Sequence, residues 1–142
     1  MVEMVNEAGT FAERLDHLFR TVRPAGRGEY TYEEVADAIR GTGVMISHTY
    51  VWQLRKGKRD NPTKRHLEAL AEFFGVPPAY FLDDSVAQAT NTQLDLLAAM
   101  RDSSVRALAL RAAGLSASSL QAIRGMIEQA RRIEGLPAEP PG

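Results

Sequence analysis

The chain contains no cysteine. Disulfide staples and thiolate chemistry are therefore excluded, and such usage fits a reducing cytoplasm. No apolar run approaches the roughly 18 residues that a membrane span needs, so no membrane partner is expected. The opening MVEMVNEAGTF lacks both a basic segment and a continuous apolar stretch, which argues against a secretory leader. Strand-like alternation of apolar and polar residues is missing throughout, and so are internal repeats and low-complexity tracts. Tryptophan occurs once, at Trp52. Acid is scarce in one window. From Arg40 to His66 the basic residues are Arg40, Arg55, Lys56, Lys58, Arg59, Lys64 and Arg65, against Asp60 alone, a local charge of +6. Because the net charge is −1, the rest of the chain carries −7. The mean charge argues against a nucleic-acid binder; the window argues for one.

What is present reads as helix. With 142 residues, 44% hydrophobic and 25% charged, the chain fits one domain with a smaller appendage, of ordinary globular composition. Residues 1–9 lack periodicity and read as a flexible arm. Thr10 with Glu13, and Thr31 with Glu34, have capping-box spacing and predict two helix starts. Phe11, Leu15, Leu18, Phe19 and Val22 form the apolar side of the first helix. Val35, Ala36, Ala38 and Ile39 form that of the second, which ends at Gly41–Gly43. The loop PAGRGEY separates them. Ser47 caps a third helix that Gly57 ends; Thr63 caps a fourth, carrying Leu67, Leu70, Ala71 and Phe74, that Gly75 ends. Tyr80, Phe81 and Leu82 are expected to close the core. Residues 85–91, small and polar, read as a linker. Beyond it, Leu94, Leu97 and Met100 mark one helix, and Val105, Leu108 and Ala112 a second. A third, capped by Ser116, carries Leu120, Ile123, Met126, Ile127, Ala130 and Ile133. Residues 137–142 read as a disordered tail. The expected domains are thus 10–84 and 92–136.

Residues 47–62, SHTYVWQLRKGKRDNP, concentrate the chemistry. Wound at about 100° per residue, Tyr50, Val51 and Leu54 share one side, and His48, Thr49, Trp52, Gln53 and Lys56 the other. That second side holds donors, acceptors and a flat aromatic but no carboxylate. It suits base edges in a major groove: Gln53 toward adenine, Lys56 toward guanine or phosphate, the Thr49 methyl toward thymine. Lys58 and Arg59, beyond Gly57, would meet backbone phosphates. A helix at 32–40, a glycine turn and a helix from Ser47 are the parts of a helix-turn-helix. The plainer reading is a basic, solvated face on a four-helix bundle, with Trp52 half-buried against Arg55 or a neighbouring helix.

The patterns S-x-x-Y-V-x-x-L-R-x-G-K-R-x-N-P-T and L-x-x-L-A-x-F-F-G-V-P-x-x-Y-F, within residues 32–82, resemble the Cro/C1 (XRE-type) helix-turn-helix family. The segments FAERLDHLF, PAGRGEYT, FFGVPPAYFLDD and MRDSSVRALALRAAGLS extend the likeness over nearly the whole chain to nucleoid-associated regulators. The resemblance implies a lambda-repressor-like fold whose third helix reads the major groove. By position that task falls to His48, Thr49, Trp52 and Gln53, with Lys56, Lys58, Arg59 and Asn61 at the phosphates; Ser47 and Arg55 are also expected among the DNA contacts. Two departures stand out. The loop from Pro24 to Glu29 is longer than most members have, and Arg55 stands where the family usually has an acid.

Nothing points to catalysis. His17, His48 and His66 lack metal-ligand spacing, and Glu33–Glu34 and Asp83–Asp84 are explained by helix-start charge and a loop. No enzyme activity, metal or cofactor is expected. The expectation is an all-α protein of the cytoplasmic nucleoid that binds double-stranded DNA. Its C-terminal helical region would make a homodimer, or a higher-order assembly on DNA, through Leu120, Ile123, Met126, Ile127, Ala130 and Ile133. Acid outside the basic window is expected to hold that far end off the DNA. The alternative is a protein-interaction module, an antitoxin or adaptor, that docks an acidic partner on the basic face.

Overall fold

The computed structural model describes residues 9–137. The expected arm and tail lie outside them, except for Gly9 and Pro137. Among the described residues every regular element is a helix: α1 (Phe11–Thr21), α2 (Tyr32–Arg40), α3 (His48–Arg55), α4 (Lys64–Phe74), α5 (Ala79–Leu82), α6 (Asp84–Ala99), α7 (Ser103–Ala112) and α8 (Ala117–Ile133). The all-α expectation holds. The chain forms two compact units, 1–99 and 100–142.

The helices start where short polar side chains can satisfy the free N–H groups of a first turn. Thr10 and Thr31 each make the full capping box, with Glu13 and Glu34 reaching back at 2.8 Å. Ser47 accepts from Tyr50 N at 3.0 Å and Thr63 from His66 N at 3.2 Å. Gly75, at φ +77°, supplies the left-handed residue that ends α4.

The core of the first unit joins Leu15, Leu18 and Phe19 of α1, Val35, Ala36 and Ile39 of α2, and Val51 and Leu54 of α3. Leu70, Ala71 and Phe74 of α4 and Tyr80 and Phe81 of α5 complete it. Phe19 meets Phe74 and Tyr32 edge to face at 5.1 and 5.4 Å. Two expected core residues are not there. Ala38 is exposed on the outer side of α2, and Leu82, at the end of α5, is 72% exposed. One helical turn places Tyr80 and Phe81 inward and leaves Leu82 on the opposite side.

Residues 85–91 are not a linker. They form the first turns of α6, whose start is fixed by Asp83, accepting from Val86 N at 3.1 Å. Ala87 is completely buried, and Asn91 takes the Tyr80 hydroxyl at 2.7 Å. The buried Arg14 of α1 reaches Asp84 and the Tyr80 carbonyl, tying the α5–α6 junction to α1. Small polar residues predominate because α6 buries only one residue fully, and an alanine suffices there. The boundary between units accordingly falls after Ala99.

A second tie sits on the opposite side of α1. Arg55, the last residue of α3, donates through Nε to Asp16 of α1 at 2.8 Å and through Nη1 to Glu29 at 2.9 Å and to the Tyr32 hydroxyl at 3.3 Å. Its guanidinium lies 4.6 Å from the Phe19 ring centre. Burial alone would lower its pKa; the hydrogen bonds to Glu29 and Asp16 outweigh that and raise it.

In the second unit, α7 begins at Asp102, which accepts from Ser104 N and Val105 N, and α8 at Ser116. No described side chain of this unit is buried, and Leu108, Leu110 and Met126 are among its exposed apolar residues. Residues 100–142 hold six arginines against four carboxylates. The acid surplus therefore belongs to the first unit and does not serve to hold this end off DNA.

Two stability outcomes follow from the ties. Arg55→Ala should cost about 2–3 kcal/mol in urea unfolding, below the roughly 3–5 of a fully buried pair. Asp16 and Glu29 keep 36% and 33% of their side chains in water and can be rehydrated. Arg55→Lys should recover less than half, because an ammonium cannot span both carboxylates. Burial pushes the Tyr80 hydroxyl up from 10.0 to about 12. The folded state thus holds this proton more tightly than the unfolded chain, so its contribution is complete below pH 10 and is lost as pH rises through about 12. Thermal melts across that range should show the loss in the native protein and not in Tyr80→Phe.

Candidate nucleic-acid interface

The α2–α3 connection is clamped from both sides. Gly43, at φ +98°, turns the chain after α2. Arg40 donates to the Ile46 carbonyl at 2.7 Å and pairs with Asp37, while His66 of α4 holds the Met45 carbonyl at 2.8 Å. Ile46 is buried beneath, so α3 starts from a fixed point. Val51 and Leu54 go inward with no exposure, and the Tyr50 ring lies against His66 at 5.1 Å.

These contacts decide what remains outside. His48, Thr49, Trp52 and Lys56 are exposed and Gln53 is half-exposed, with Lys56 at the edge of a concavity that α1 also lines. Trp52 is 36% exposed, and Lys58 Nζ lies 5.9 Å from its ring centre. The plainer reading set Trp52 half-buried against Arg55 or a neighbouring helix; the ring is indeed half-buried, while the Arg55 guanidinium turns to Asp16 and Glu29. After Gly57, the N–H groups of Lys58 and Arg59 both return to the Gln53 carbonyl, at 2.9 and 3.2 Å. The two cations are thereby set at the C-terminal end of α3, where the helix dipole also favours positive charge.

The basic window divides by role. Arg40 and Arg55 are structural, and Lys64 lies 3.9 Å from Glu68. Arg55 was expected among the DNA contacts; its guanidinium is instead taken up by Asp16 and Glu29 at hydrogen-bond distance. Ser47, expected at the interface, uses its hydroxyl as the α3 cap. Asn61 is exposed in the loop before α4. Lys56, Lys58, Arg59 and Arg65 are exposed and make no ion pair among the described residues. Arg65, in the first turn of α4, was not among the expected contacts, although its place in the basic window was a signal for it. No three acidic or histidine side chains gather as a metal site among the described residues, and no described helix is long and apolar enough to cross a membrane.

No protein-family profile matches the chain. Two relatives do. The nucleoid-associated protein EspR of Mycobacterium tuberculosis strain CDC 1551 / Oshkosh is 43% identical over 129 residues, 91% of this chain and 98% of its own. The same protein of strain ATCC 25618 / H37Rv matches at the same identity and coverage. With that identity over nearly the full length of both chains, the chain belongs to the family of the nucleoid-associated protein EspR.

Proposed function

We propose that the protein is a sequence-preferring, double-stranded-DNA-binding regulator of the cytoplasmic nucleoid, in which α2, the glycine turn and α3 act as a helix-turn-helix. One observation carries the reading: the outer face of α3 has no carboxylate and is framed by Lys56, Lys58, Arg59 and Arg65, which make no ion pair among the described residues. Eight residues of helix extend about 12 Å, enough to lie in a major groove about 12 Å wide. Within it, Gln53 can satisfy both edge groups of adenine, and Lys56 the acceptors of guanine. Lys58, Arg59 and Arg65 then stand over the flanking phosphates, which position the helix without reading sequence. The nucleoid association in the relatives' name agrees with this.

The reading includes a homodimer through α8. Leu120, Ile123, Ile127 and Ala130 step by three and four residues, and Met126 and Ile133 widen the stripe. Leu120 is 42%, Ile127 51% and Ile133 75% exposed, and no described side chain of the unit is buried to give them a core. A second copy supplies the same stripe in reverse. Joining two reading heads raises affinity through effective concentration, since either head alone neutralises few phosphates.

Two experiments test these assignments. Gln53→Ala should relax preference at one base pair by about 1–3 kcal/mol of discrimination. Lys58→Ala should weaken selected and random duplexes alike and flatten the salt slope by about one unit. Equal effects of both on all DNA would displace α3 from the groove, and absence of duplex binding at low salt would leave the acidic-partner reading. For the dimer, Ile123→Glu with Ile127→Glu should sediment as a monomer with weakened operator binding and a retained helical spectrum. An unchanged dimer would remove this stripe from the interface.

A further inference from the structure

Trp52 is not explained by hydrogen bonding, and it lies among the outward residues of α3. Thr49 precedes it by one turn and Lys56 follows by one turn, so the indole shares one face with the Thr49 methyl. Its Lys58 contact is loose, at 5.9 Å, and Lys58 is exposed and able to leave for a phosphate. What is left is an apolar patch in the middle of a polar, cationic face. Base edges in the major groove offer hydrogen-bond donors and acceptors and one kind of apolar group, a methyl on C5 of a pyrimidine. An indole laid on polar edges would leave them unpaired; laid on a methyl, it buries apolar surface against apolar surface.

On these grounds, and resting on the placement of α3 in the groove, we propose that Trp52 and Thr49 form a sensor for the pyrimidine C5 methyl. The group occurs naturally in thymine and is created at cytosine by methylation. Binding therefore distinguishes T·A from the other pairs at the position under Trp52, and it responds to cytosine methylation there. The ligand chemistry is a methyl in the groove, whichever base bears it.

The test uses the full chain and the duplex it selects most strongly from a random pool, measured by anisotropy of labelled DNA. Replacing single thymines by deoxyuridine removes nothing but the methyl. At one position or a few, the native protein should bind about fourfold more weakly, the weight of one buried methyl-sized group. Placing cytosine there should weaken binding further, and 5-methylcytosine should recover about the same fourfold. Trp52→Ala, which keeps the Thr49 methyl, should lose most of the difference between the thymine and deoxyuridine duplexes. Thr49→Ser, which keeps the hydroxyl and the α3 backbone, should reduce the ratio and covers the case in which Trp52→Ala loses helix content. Native protein indifferent to deoxyuridine at every position would overturn the proposal, as would a ratio unchanged in both variants, while leaving α3 as the reading helix. Absence of all duplex binding would instead sink the DNA reading on which it rests.

Discussion

The Arg55 guanidinium is bound by carboxylates from two different segments, and the geometry of the outer surface depends on that. α3 is two turns long and puts only Val51 and Leu54 fully into the core. Two apolar anchors on one side fix its depth but constrain its roll poorly. Arg55 adds a third, directional anchor: Asp16 from α1, Glu29 from the loop and the Tyr32 hydroxyl from α2 meet at one planar fork. A cation removed from water must find such partners, and finding them orients the helix that carries it. His48, Thr49, Trp52, Gln53 and Lys56 face outward as a result.

The same contact ties the loop from Pro24 to Glu29 to α3, because Glu29, the last residue of that loop, is a direct partner of Arg55. One consequence concerns the field at the exposed face: charge at Arg55 is balanced internally by Asp16 and Glu29, so the outward potential comes from Lys56, Lys58, Arg59 and Arg65.

Features encoded within a few residues were legible in the sequence. Thr10, Thr31, Ser47, Thr63 and Ser116 all cap as their spacing implied, and the inward and outward sides of α3 follow from its period. What escaped depends on residues distant along the chain. Arg55 lies 39 positions from Asp16 and 26 from Glu29, so nothing local marks it as internal. Likewise α6 looks like a linker until Tyr80 and α1 supply the surface on which Ala87 rests. Leu82 shows the converse error, because apolar character alone does not say which side of a single helical turn faces the core.

No described side chain of the second unit is buried, and this bears on how the protein persists at low abundance. A helical segment without a core of its own gains little from folding alone. Under the proposed pairing, its order is linked by mass action to the concentration of the chain. Dilute chains would keep a folded reading head beside an exposed apolar segment, the kind of surface that proteases and chaperones survey. Under that pairing, assembly would cover this surface and leave only unpaired copies open to such surveillance.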